Sequence, residues 1–203
     1  MTEIVRDGYD AIADGFAAWR DRIVGDPRDD WRDELAERLP DCARVLELGC
    51  GNGDDLRKLA RRFHVTGVDV SEEQIRHARE NAPAARLLCA DFTEVELPTA
   101  GFDAVVSFYV FNHVPRQRLA PLLTRIHEWL VPGGLLLTAF GIGDFEAWAG
   151  EWLGTTMFFS SFPARVNSRL VREAGFEALH DEVVEFVEPE GPVRFQWVLA
   201  RSI

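Results

Sequence analysis

The sequence predicts an α/β protein: an open, doubly wound, mostly parallel sheet that ends in an antiparallel C-terminal hairpin. Three observations carry this expectation. Between residues 44 and 140, short apolar runs alternate with amphipathic stretches, the pattern of strands covered by helices. Phe102-Asp103-Ala104-Val105-Val106-Ser107 is nearly all apolar, as a strand buried on both faces must be. Near the C-terminus, strands at Val183–Val187 and Val193–Leu199 are joined only by Glu188-Pro189-Glu190-Gly191-Pro192. Such a link is too short for a parallel crossover.

The elements follow in order. Tyr9, Ile12, Phe16, Trp19 and Ile23 recur at spacings of three and four, which is one apolar helix face. Asp26-Pro27 opens a second helix, with Asp suited to the cap, Pro to the first position, and Asp29 and Asp30 to the positive end of the dipole. Trp31, Leu35 and Leu39 are its buried side. Arg44–Leu48 reads as a strand, Asp54–Phe63 as a helix and Val65–Asp69 as the next strand. Ser71-Glu72-Glu73-Gln74 is a capping box that opens a helix. Short strands follow at Ala85–Cys89 and Phe102–Ser107, then a helix near Pro121–Leu130. Pro132-Gly133-Gly134 turns into a strand at Leu135–Phe140, and Gly175 stops a helix at Ala164–Ala174. No repeat, flexible linker or second domain is evident, so residues 1–203 read as one domain.

Composition limits the partners. The 22 Lys and Arg against 34 Asp and Glu give a net charge of −12. That argues against general binding to nucleic acid or anionic membranes, both of which need clustered cations. Cys42, Cys50 and Cys89 form no Cys-x-x-Cys pair, which suits a reducing cytoplasm. Met1–Asp7 has no apolar signal core, and no run approaches the ~20 apolar residues that span a bilayer. No metal-ligand spacing occurs; His64, His77, His127 and His180 read as surface or structural.

Glu47-Leu48-Gly49-Cys50-Gly51-Asn52-Gly53, between a strand and a helix, is the most informative stretch. Glycines permit the turn and let a ligand approach bare backbone. A dinucleotide fingerprint would place glycine where Asp54 stands. The carboxylates of Asp54 and Asp55 would also oppose a pyrophosphate at the helix N-terminus. A less anionic nucleoside fits better. Asp69, about 20 residues on at a strand end, stands where a ribose diol is held. Asp91, followed by Phe92, can accept an exocyclic amine.

Residues 45–53, Val65–Ser71, Ala90-Asp91-Phe92, Phe102–Val106 and Pro132-Gly133-Gly134 together resemble the ordered motif series of class I S-adenosylmethionine-dependent methyltransferases. Tyr9-Asp10-Ala11-Ile12-Ala13 is similar to the N-terminal helix of small-molecule members. The resemblance implies a Rossmann-like seven-stranded sheet with a reversed last strand. Residues 1–41 would be a helical cap over the cofactor, 42–140 the cofactor-binding core, and 141–203 a lid segment, helix and hairpin. It implies S-adenosylmethionine as cofactor and S-adenosylhomocysteine as product. Glu47, Gly49, Cys50 and Gly51 would border the methionine part. Asp69 would hold the ribose, Val70 would pack on adenine, and Asp91 with Phe92 would read its edge. Ser107 and Phe108 would underlie the reacting centre, with Tyr9 closing over the cofactor carboxylate.

Methyl transfer is an in-line displacement that depends mainly on alignment, worth up to ~7–11 kcal/mol of the barrier. The candidate base is His113, in Phe111-Asn112-His113, after the fourth strand; it can equally cap a helix or shape the pocket. Asn112 and Tyr109 are further polar contacts. Trp148, Trp152, Met157, Phe158 and Phe159 either wall the acceptor pocket or seal the sheet and its terminal hairpin. The expected partner is a small-molecule acceptor offering an O, N, S or C atom, on a monomer or homodimer. A non-catalytic binding module on the same fold is the alternative.

Overall fold

The computed structural model describes residues 2–203. Its main sheet has seven strands: β1 (Arg44–Leu48), β2 (His64–Asp69), β3 (Arg86–Cys89), β4 (Phe102–Phe108), β5 (Leu130–Gly141), β8 (Phe176–Glu188) and β9 (Gly191–Ser202), in the order β3-β2-β1-β4-β5-β9-β8. The first five are parallel to one another, β9 runs antiparallel to β5, and β8 and β9 form the terminal hairpin. Strand order reverses between β1 and β4, so a crevice opens beyond their carboxyl ends.

Six helices cover the sheet: α1 (Thr2–Arg20), α2 (Arg28–Glu37), α3 (Asp54–Leu59), α4 (Glu72–Asn81), α5 (Arg116–Trp129) and α6 (Ala164–Glu173). Strand alternation divides the core. Val45, Ala104 and Val106 face Trp31 and Leu35 of α2 and Leu56 of α3, whereas Leu46, Leu48 and Val105 face Leu122 and Ile126 of α5. Among the described residues no helix is long and apolar enough to cross a membrane.

Several boundaries differ from the sequence expectation. Pro27, not Asp26, occupies the cap position of α2, although Asp26 still accepts the Arg28 N–H at 3.0 Å. α3 ends at Leu59, and α5 begins at Arg116 with Pro121 inside it. Arg116 follows Pro115, whose extended backbone ends the preceding turn. β5 starts at Leu130, and β8 and β9 reach 13 and 12 residues.

The larger correction is a separate antiparallel pair, β6 (Phe145–Trp152) and β7 (Thr155–Ser161), where no strands were expected. Its two-residue turn is Leu153-Gly154, with φ of 51° and 80°. Positive φ at both positions matches the twist of a tight hairpin, but leucine seldom adopts it, which hid the turn. Met157 and Phe158 of this hairpin pack on Val5 of α1. It is therefore a clamp on α1 and not a seal on the terminal hairpin.

Candidate active site

The glycine loop after β1 forms the crevice floor. The Gly49 and Cys50 N–H groups both donate to the Val68 carbonyl, at 2.8 and 3.1 Å, which ties the loop to β2. Gly49 has φ of 68°, and a Cβ there would stand 2.4 Å from a Val110 methyl carbon. Conformation and space both demand glycine. The crevice above this floor has a cavity volume of about 120 Å³ and opens to solvent.

Acidic side chains mark the ends of β1, β2 and β3. Asp69 is buried; its two oxygens accept the Gly51 N–H at 2.8 Å and the Ser71 N–H at 3.0 Å. Burial raises its pKa despite these bonds. Val70 lies beside it in the wall. Asp91 accepts the Thr93 N–H and hydroxyl at 2.8 and 2.6 Å, and the Thr2 hydroxyl at 2.9 Å. Burial works against its charge, but these bonds and nearby Arg118 outweigh it, so the carboxyl lies below its ordinary range. Phe92, mostly buried, completes this end.

Glu47 points to the α2–α3 face, into a buried ionic cluster. Asp55 pairs with Arg28 at 2.9 Å and with Arg32 at 2.8 Å, and Arg20 pairs with Asp54. The Arg28 guanidinium stacks 4.7 Å from the Tyr109 ring centre, and the Tyr109 hydroxyl donates to Asp26 at 2.6 Å. Tyr109 holds a φ of 61°, a strained state for a bulky residue at a site's edge. Burial, and then the Asp55 charge, push the Glu47 carboxyl well above its ordinary value. Among the described residues, Glu47 Oε2 and Arg28 Nε have no hydrogen-bond partner. Asp54 and Asp55 are thus neutralised by arginines. Their expected repulsion of a pyrophosphate is correspondingly weakened.

His113 lines the crevice. Its Nδ1 lies 2.8 Å from the Phe158 carbonyl, which can only accept, so Nδ1 carries the proton. Nε2 then accepts the Tyr9 hydroxyl at 2.9 Å. Burial lowers the imidazole pKa to about 4, against the opposing pull of the Phe158 carbonyl. The ring is neutral at pH 7 and both nitrogens are engaged. Because the folded pKa lies below the unfolded value near 6.5, the unfolded chain binds the extra proton between those values. Stability is full above pH 6.5 and falls as pH drops towards 4. His113→Gln is expected to flatten this dependence by about 3 kcal/mol in all. Urea unfolding of both proteins at pH 7 and pH 4.5 measures it; parallel slopes would refute it.

The remaining expected residues separate. Cys50 and Phe108 line the crevice, and burial pushes the Cys50 thiol up. Ser107 is fully buried behind the surface. Asn112 turns away into a small hollow with Arg116, Phe140 and Asn167. Trp148 is half exposed, and Trp152 packs on Tyr9, Phe16 and Trp19. Met157 and Phe158 are buried against α1, and Phe159 lies 4.8 Å from the His113 ring. None of these five aromatic and apolar residues lines the crevice, whereas Val5, Tyr9, Phe16 and Arg20 of α1 do. The sequence reading missed the lining residues Arg20, Arg28, Gln74 and Arg118. Among the described residues no group of three or more His, Cys, Asp or Glu is placed to hold a metal.

Residues 45–134 match the family described as a methyltransferase domain. An uncharacterized methyltransferase of Mycobacterium tuberculosis is 45% identical over 96 residues, which are 45% of this chain and 47% of that protein. Over this stretch the chain is similar to that family. Trans-aconitate 2-methyltransferase of Rhodopseudomonas palustris is 38% identical over 109 residues, 52% of this chain and 41% of that protein. The matched part of this chain thus spans about half, or less, of these relatives. Among solved structures, 1,6-didemethyltoxoflavin-N1-methyltransferase of Burkholderia thailandensis, solved with 1,6-didemethyltoxoflavin and S-adenosylhomocysteine, superposes with a TM-score of 0.77. It is 21% identical, with 98% of this chain and 88% of that one covered, and so shows a shared fold. The matched stretch runs from β1 into the start of β5, so the glycine loop, Asp69 and Asp91 all fall inside it.

Proposed function

We propose that the chain transfers a methyl group from S-adenosylmethionine to a small molecule. The observation that carries this reading is the crevice at the strand-order reversal, where a bare glycine floor lies between buried Asp69 and unpartnered Glu47. These residues fit the group. Asp69 offers carboxylate oxygens to a ribose diol, and Asp91 with Phe92 offers an acceptor and an apolar wall to adenine. Glu47 Oε2 and Arg28 Nε, one acceptor and one donor, suit the ammonium and carboxylate of an amino acid. When bound, S-adenosylmethionine supplies a methyl group on a positively charged sulfur.

The chain's own work is then alignment and exclusion of water. Phe16, Phe108, Tyr109 and Val110 supply apolar wall, and α1 covers the mouth. In this reading His113 fixes the Tyr9 hydroxyl and does not take the acceptor's proton. Its low pKa suits acceptors that attack without a strong base.

Calorimetric titration with S-adenosylmethionine, S-adenosylhomocysteine and NADH tests the cofactor, and a metabolite screen with labelled methyl donor tests the transfer. Binding of the first two with NADH ignored, followed by label on a small acceptor, is expected. Binding with no label on any acceptor would favour the non-catalytic module, and preference for NADH would overturn the proposal.

A further inference from the structure

Gln74 is the third residue of α4, in the predicted capping box. In such a box the glutamine side chain returns to the N–H of the cap residue. Only half of the box forms here. The Gln74 backbone N–H donates to Ser71 Oγ at 3.0 Å, but the Ser71 N–H is given to Asp69 Oδ1, also at 3.0 Å. The glutamine amide is thereby released from capping. It is 1% exposed and lines the crevice, and among the described residues neither its oxygen nor its nitrogen has a partner. Its Oε1 lies 3.7 Å from where a Cβ on Gly51 would stand, and the Gly51 N–H binds the other oxygen of Asp69. A buried amide left without partners is unfavourable, so a ligand that supplies one is favoured. A ligand oxygen with a free lone pair complements its N–H side.

We propose that Gln74 is a specificity-determining residue that recognises one hydroxyl of the vicinal diol held by Asp69. This rests on the methyl-donor reading above. A carboxylate can only accept, so the hydroxyl donates its hydrogen bond to Asp69. The hydroxyl oxygen keeps its lone pairs, and the Gln74 amide N–H donates to one of them. Together the two side chains read a hydroxyl from both sides, which a carboxylate alone cannot do.

The test is calorimetric titration of wild type, Gln74→Met and Gln74→Glu with S-adenosylhomocysteine and with its 2′-deoxy and 3′-deoxy analogues. Met keeps the length and removes both polar groups; Glu keeps an acceptor and removes the donor, and it carries the test should the Met variant not fold. Each variant is expected to bind the parent ligand about tenfold more weakly. For the analogue lacking the hydroxyl that Gln74 meets, wild type and variants should bind alike. Equal binding of the parent ligand by wild type and variants overturns the role of Gln74 alone. So does an equal loss with all three ligands, which would mark a merely structural residue. A wild type that ignores S-adenosylhomocysteine overturns the methyl-donor reading and this proposal with it.

Discussion

Asp69→Ala is expected to weaken S-adenosylhomocysteine binding by at least a hundredfold. A hydrogen bond to a charged group contributes about 1.5–3 kcal/mol, and a diol offers two. At about 1.4 kcal/mol per factor of ten, the loss is on the order of 10² to 10⁴. The fold should survive, because Gly51 and Asp69 line the crevice and the space vacated by the carboxylate can hold water for the N–H groups that Asp69 now satisfies. Calorimetry reads the affinity, and thermal unfolding with and without ligand reads the fold. A variant that still gains the wild-type thermal shift would remove Asp69 from the site.

Asp55→Ala is expected to have the largest effect on stability. Asp55 is the shared counter-charge of Arg28 and Arg32, all three buried or nearly so. Removing one member of a buried pair typically costs about 3–5 kcal/mol, because the other is left uncompensated. Arg28 retains Asp26 and Arg32 retains exposed Asp29, so the lower end, about 3 kcal/mol, is expected. For a domain of this size the unfolding temperature would fall by roughly 10 °C. Urea is the suitable denaturant, since guanidinium would screen the charges being measured. Replacing Asp55, Arg28 and Arg32 together by apolar residues should recover most of the loss; no recovery would mean that packing, not charge, is at stake. The same substitution removes the second cause of the raised Glu47 pKa, so Glu47 should ionise more readily in the variant.

Much of the framework was legible because its signals are local. β1, β2 and β4 show the apolar runs of doubly buried strands, and the loop between β1 and α3 shows its glycines. The short link at 188–192 shows a hairpin. Harder features involve distant partners or residues used against type. Leu153 in a positive-φ turn concealed β6 and β7. Arg20, Arg28 and Arg32 belong to no local motif, yet they close on Asp54 and Asp55 from positions 34, 27 and 23 residues away. The apolar residues after β5 read as pocket wall or as a seal on the sheet, and nothing in their spacing says that Met157 and Phe158 pack on α1, whose own residues line the crevice.

The sequence by itself determined the strand and helix pattern, the glycine floor, and the acidic residues at strand ends, since backbone freedom and side-chain periodicity act over a few residues. Only the tertiary structure decided which of the acids are free and which are spent on arginines. It also decided that His113 is neutral with its proton on Nδ1, and that the Gln74 amide stands unpaired in the wall of the same crevice as Asp69. Ionisation and hydrogen bonding depend on distances between residues far apart in the chain and on the water excluded around them. Those quantities do not exist until the elements pack.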